Sequence, residues 1–297
     1  MSKLISSLTR KINRRRTIES ILARRQNNEN VVFLHRIDKT NAGDYFCSPG
    51  RYFEELPGTA LDLLDYQHSS AEVRERFCDL VSNAALVIGG GGLLNRGSFE
   101  KQMRLFARLA DRGKKTVLWG VGHNARYRGG ARIPERYNID LGRFGLVGTR
   151  DYSMSSEYVP CVSCMHRVFD ALYEETRDIG IVFHKRTLGI HTVTARFREY
   201  PTCSNSADLE TLVEFIGSCR AIVTDSYHAM YWSMLLGKGV TVVPGSSKFF
   251  DFKYQPRIST FDECLALAGD APRYSGLLEE CRESNRNYHL KVMDYLS

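Results

Sequence analysis

Short, unbroken apolar runs, each ending in a glycine or polar loop and leading into a helical pattern, constrain this chain more than any other feature. Val31-Val32-Phe33-Leu34 leads to Asn41-Ala42-Gly43-Asp44. Ala84-Ala85-Leu86-Val87-Ile88 breaks at Gly89-Gly90-Gly91-Gly92 before a helical pattern from about Ser98 to Asp111. Thr116-Val117-Leu118-Trp119 ends at Gly120-Val121-Gly122-His123-Asn124, and Phe144-Gly145-Leu146-Val147-Gly148 ends at Thr149-Arg150-Asp151. The alternation restarts at Gly180-Ile181-Val182-Phe183. It continues through an amphipathic helix over 207–218 and the run Cys219-Arg220-Ala221-Ile222-Val223, and reaches Val240-Thr241-Val242-Val243 before Pro244-Gly245. Strands that are apolar along their whole length are buried on both faces, so they belong in parallel sheets covered by helices. The predicted fold class is α/β with two Rossmann-like domains.

At 297 residues the chain is long for one core and comfortable for two. The N-terminal domain is predicted over 29–151 and the C-terminal domain over 179–270. The less regular stretch 152–178, with Pro160 and two cysteines, is the predicted junction. Residues 271–297 read as a helical tail packing back on the first domain. No apolar run approaches the ~20 residues of a membrane-spanning helix. The N-terminus lacks the apolar core of an export signal. The eight cysteines are therefore expected to be free thiols in a reducing, cytoplasmic compartment.

The net charge of +7 is not spread over the body. Residues 1–28 carry eight basic side chains against Glu19 alone, and the rest of the chain is balanced. Leu4, Leu8 and Ile12 recur at helical spacing within this arm. A basic amphipathic helix suits an anionic membrane surface, against the plainer readings of a solvated helix or a leader. Nucleic acid is not an expected partner, and oligomeric state has no signature here.

The pentapeptide Thr224-Asp225-Ser226-Tyr227-His228 sits where an apolar run turns into the helical segment Ala229 to Leu236. In open α/β sheets that edge is where ligands bind, and a helix N-terminus favours an anion. The glycine loop lacks the Gly-Lys-Ser/Thr of a triphosphate-binding loop and the spacing of a dinucleotide fingerprint. Cys161-Val162-Ser163-Cys164 has no partner cysteine pair, so no metal is expected.

Taken in order, Asn41-Ala42-Gly43-Asp44, Gly89 to Gly92 with Asn95, Gly120-Val121-Gly122, Thr149-Arg150-Asp151, Thr224 to His228 and Leu236-Gly237-Lys238-Gly239-Val240 resemble the polysaccharide pyruvyl transferase family over about residues 31–250. The resemblance implies a GT-B-like pair of domains with the active cleft between them. It also implies transfer of the enolpyruvyl unit of phosphoenolpyruvate onto two hydroxyls of a glycan or lipid-linked saccharide, forming a ketal. No cofactor is implied. The chain departs from the family at one point: Ser226-Tyr227-His228 stands where members often carry Arg-Leu-His.

For that chemistry His228 is the candidate to deliver a proton or hold phosphate, and Asp44 the candidate base for the acceptor hydroxyl. Arg150, Gly90, Gly91, Gly92, Ser226 and Tyr227 are assigned to the donor, with Lys248 as the cation replacing the missing arginine. Asn41, Asn95, His123, Asn124 and Asp225 are further cleft candidates. Two competing expectations are a nucleotide-sugar glycosyltransferase of the same architecture and a non-catalytic glycan-binding relative. Localisation is expected to be cytoplasmic, with the arm docking the protein at the inner face of a membrane.

Overall fold

The computed structural model describes residues 2–127 and 132–297, with side chains of the first helix described from residue 9 onward. Its strands form two all-parallel sheets. The first contains β1 (Asn30–His35), β2 (Thr59–Asp62), β3 (Ala84–Gly89), β4 (Thr116–Val121), β5 (Leu146–Thr149) and β6 (Glu157–Tyr158), in the order β2-β1-β3-β4-β5-β6. The second contains β7 (Arg177–Phe183), β8 (Thr202–Ser204), β9 (Cys219–Thr224), β10 (Gly239–Val242) and β11 (Arg257–Ile258), in the order β11-β10-β9-β7-β8. Counted from its own first strand, each sheet has the same doubly wound order. The chain leaves toward opposite sides on either side of the β1/β3 pair and of the β7/β9 pair. That reversal opens a crevice beyond the carboxyl ends of those strands.

The central strands match the sequence pattern for a physical reason. Every residue of β3, β4 and β10 is buried, as strands covered on both faces must be. The edge strands β2, β6, β8 and β11 span two to four residues without an apolar run, so the pattern carried no signal for them. Strand β6 lies inside the stretch assigned to the junction and pairs with β5.

Among the described residues nine α-helices cover the sheets: α1 (Ser2–Ala23), α2 (Ala42–Tyr45), α3 (Ala71–Asn83), α4 (Glu100–Ala110), α5 (His191–Thr194), α6 (Leu209–Gly217), α7 (Tyr227–Leu235), α8 (Cys264–Ala268) and α9 (Leu277–Leu296). Ser70 and Asp208 cap α3 and α6 by accepting from the backbone N–H three residues on, at 3.4 and 2.8 Å. Helix α7 is buried on all sides, as expected of an apolar helix between a sheet and other helices. Helix α9 lies across the first sheet. Its Asn285 accepts from the Trp119 indole at 2.8 Å, and the Tyr288 hydroxyl donates to the Leu118 carbonyl at 2.8 Å.

The basic arm is a helix whose second half is docked. Asn13, Thr17 and Ile21 are buried one turn apart, and the Asn13 amide donates to the His68 carbonyl at 3.2 Å. Arg24 pairs with Asp79 at 2.6 Å and with Glu75. Ile12, from the stripe read off the sequence, is 43% exposed, and the side chains of Leu4 and Leu8 lie outside the described set. Among the described residues no helix is long and apolar enough to cross a membrane.

Candidate active site

A cavity of about 570 Å³ lies where the carboxyl ends of the two sheets face each other. Every wall is a strand-end loop. The first sheet contributes Asn41 and Asp44 after β1, the glycines 90–92 after β3, Asn124 after β4 and Arg150 after β5. The second contributes His184 and Lys185 after β7, Asn205 after β8, Asp225 to His228 after β9, and Lys248 after β10.

Two of the sequence candidates, Asn95 and His123, do not line it. Asn95 adopts a left-handed backbone (φ 51°), and its amide donates to the Arg136 carbonyl at 3.0 Å. His123 is fully buried beneath the floor. Its Nδ1 lies 2.7 Å from Ser247 Oγ and its Nε2 3.1 Å from an Asp251 carboxylate oxygen. Its backbone N–H donates to Asp151 at 2.7 Å. This knot ties the ends of β4 and β5 to the loop that carries Lys248. His123, Asp151 and Asp251 are also the one group of metal-capable atoms within 4.8 Å of one another among the described residues. Each is engaged by protein hydrogen bonds, and no sequence expectation assigned a metal there.

Arg150 is the most informative side chain. It is 2% exposed, and its Nε and Nη1 have no hydrogen-bond partner. Its guanidinium stacks 4.0 Å from the centre of the Tyr227 ring. Gly122 makes the room: a Cβ there would stand 2.8 Å from Arg150 Cγ and Nε. A buried cation with orphaned donors is costly unless an anion completes it. Lys248 stands 5.7 Å from the same ring and has no ion pair among the described residues. Burial, then the charge of Arg150, lowers its pKa to about 8, with Asp44 pulling the other way.

His228 packs into a slot that only glycine permits. A Cβ on Gly43 would overlap its ring, which explains the glycine in the Asn41 to Asp44 loop. Its Nε2 lies 3.5 Å from Cys161 Sγ, so the first cysteine of the predicted junction reaches the site. Burial, then Arg150 and Lys248, pushes its pKa well below the usual imidazole value, which favours the neutral ring. Burial raises the Asp44 carboxyl, opposed by Lys248, which makes it a stronger base than an exposed aspartate. The Asn41 amide holds Asp44 at 2.7 Å.

Asp225 braces the loop after β7, accepting from the His184 N–H at 2.6 Å and from the Thr187 hydroxyl. Ser226 is 2% exposed; its N–H donates to Thr224 Oγ1 at 2.9 Å, and its own side chain does not cap α7, whose first turn lies on the cavity wall. Asn205 joins the halves, donating from its amide to Asn41 Oδ1 at 2.9 Å and accepting the Ala42 N–H at 3.1 Å. Lys185 does the same through Asp38 at 2.6 Å.

Sequence reasoning passed over His184, Lys185, Arg36 and Arg96, all on the cavity wall. The first three directly follow strands β7 and β1, the same positional signal that marked His228. Burial, then the charges of Lys248, Arg186 and Lys185, pushes His184 down to about 4.

Comparison with known proteins bears on this geometry. Curated proteins yield no match. Among solved structures the chain is similar to E. coli ADP-heptose lps heptosyltransferase II, with 9% identity and a TM-score of 0.30, covering 88% of this chain and 99% of that one. The family model for polysaccharide pyruvyl transferase matches residues 4–247, from the basic helix through the loop bearing Ser247. The chain therefore belongs to the polysaccharide pyruvyl transferase family.

Proposed function

We propose that the cavity binds phosphoenolpyruvate and transfers its three-carbon unit to two hydroxyls of a saccharide acceptor. The observation carrying this reading is the buried guanidinium of Arg150, with two nitrogens lacking partners on the cavity wall. A phosphate or carboxylate supplies what they lack. Lys248 adds a second cation beside Tyr227, in the neighbourhood where Ser226 replaces the family's arginine.

In the reaction, the C3 methylene gains a proton and C2 forms two bonds to sugar oxygens. The bond from C2 to the phosphate oxygen breaks and inorganic phosphate leaves. One of the two hydroxyl protons balances the new C–H bond and the other leaves with phosphate. Asp44 accepts the first hydroxyl proton. His228 hands the proton to C3, and the donor's negative charge raises its pKa from the depressed value of the empty site. Arg150 and Lys248 hold the phosphate as charge builds on it.

The acceptor is a glycan or lipid-linked saccharide. The exposed Lys11 and Arg16 of α1 hold the protein against an anionic membrane surface at its cytoplasmic side. Sedimentation with anionic vesicles tests this: Lys11→Gln/Arg16→Gln is expected to pellet less than wild type, and equal pelleting rejects the docking. Deleting the arm would instead remove Ile21 from the core.

Phosphate release in the presence of phosphoenolpyruvate and saccharide acceptors tests the chemistry, with mass analysis of the acceptor. The expected product is the acceptor plus one pyruvyl ketal. Binding of nucleotide sugars with no response to phosphoenolpyruvate would reject the reading.

A further inference from the structure

The cavity holds more unpaired positive charge than one small donor uses. Its cations divide into two kinds. Arg36 is paired with Asp62, and Lys185 with Asp38. Arg150, Lys248, Arg96 and Arg186 line the same cavity with no ion pair among the described residues. Arg150 and Lys248 flank Tyr227 and suffice for the phosphate and carboxylate of the donor. Arg96 and Arg186 remain. Arg96 comes from the glycine loop of the first sheet and is half-buried, whereas Arg186 follows β7 of the second sheet and is exposed. Both line the cavity, each from a strand-end loop of a different sheet.

The geometry points to a second anionic subsite, built by Arg96 and Arg186, that receives a phosphate or carboxylate carried by the acceptor near its reacting sugar. This rests on the donor occupying the Arg150 end. A neutral saccharide would leave two cations on one cavity wall uncompensated, a net repulsion. Burial, then the charges of Arg186 and Arg126, lowers the pKa of Arg96, consistent with that repulsion. A three-carbon donor also fills only a minor part of about 570 Å³, leaving room for a sugar and its anionic substituent.

Isothermal titration of the full chain tests this. Wild type saturated with phosphoenolpyruvate is expected to bind a further anion, offered as octyl diphosphate or as glucuronate. The tighter of the two names the source as a lipid-borne phosphate or an acidic sugar. The Arg96→Gln/Arg186→Gln variant is expected to weaken this second binding by about tenfold or more while phosphoenolpyruvate affinity moves by less than about threefold. No second binding in wild type, or no change in the variant, overturns the subsite. Failure of phosphoenolpyruvate to bind at all is a failure of the donor reading instead. The subsite is then read on unliganded protein. There it stands if the double variant weakens octyl diphosphate or glucuronate binding and Arg150→Gln does not, and falls on any other result.

Discussion

His123 and His228 both follow a buried parallel strand, and both are almost wholly enclosed, yet their surroundings are opposite. His123 lies between Asp251 and Ser247, with Asp151 on its backbone N–H, so its polar atoms are met by partners. His228 has no carboxylate partner; its ring meets Cys161 and the backbone of Gly43, under the charges of Arg150 and Lys248. One histidine is tied into the fold by its ring atoms; the other lies beside two cations with no carboxylate of its own. Position at a strand end marks both, and only the charges around the ring separate them.

The largest effect is expected at His228. His228→Ala should cut turnover by about 10²–10⁴-fold, the usual share of a positioned acid or base. Its thermal stability should change little. Loss of stability with turnover retained would reverse the roles of the two histidines. His123→Ala should do the opposite, leaving Asp251 and Ser247 buried without the imidazole they meet and costing about 3 kcal/mol in denaturant unfolding, while the backbone N–H to Asp151 is kept. Donor affinity of the folded fraction should be nearly unchanged. A fully stable His123→Ala protein would show that the knot holds nothing.

A smaller effect sharpens the electrostatic half of the contrast. Lys248→Met removes one of the cations that depress His228. The pH at which the His228 ring protonates, followed by its NMR shift, should rise, and donor binding should weaken by about tenfold. An unmoved titration would sink the assigned coupling. The smallest expected effect is on acid stability. His184 titrates near 4 in the fold against 6.5 when free, so between those values the unfolded chain binds the extra proton. Stability is therefore full above about 6.5 and falls as pH drops toward 4. His184→Gln should flatten that part of the curve, and an unchanged slope would show the ring to be no more buried than in the unfolded chain.

The central strands were legible because burial on both faces leaves an apolar run with no polar gaps, as in Ala84 to Ile88. The strand-end loops were legible for the same reason, since a glycine or polar cluster must interrupt such a run. What meets across the crevice was not. Nothing local announces that Cys161 reaches His228, or that Gly43 exists to admit its ring. His123 read as a cleft residue because its sequence position is that of one; its burial under the floor depends on Ser247 and Asp251, more than a hundred residues away. The docked face of the arm was legible only in part. Its docked face uses Asn13 and Thr17 as well as Ile21, and a search for apolar periodicity passes over polar residues satisfied inside an interface.

The claim on which the account rests is that Arg150 is left unpaired inside the protein so that a donor's anion can complete it. The most direct measurement combines phosphoenolpyruvate titration with thermal unfolding of the empty protein, for wild type and Arg150→Gln. The expected result is a loss of donor affinity of about a hundredfold, together with a ligand-free fold as stable as wild type or more so, because a buried guanidinium with two unpartnered nitrogens has been removed. Unchanged affinity for phosphoenolpyruvate, with a strongly destabilised empty protein, would contradict it and make Arg150 a strut of the fold.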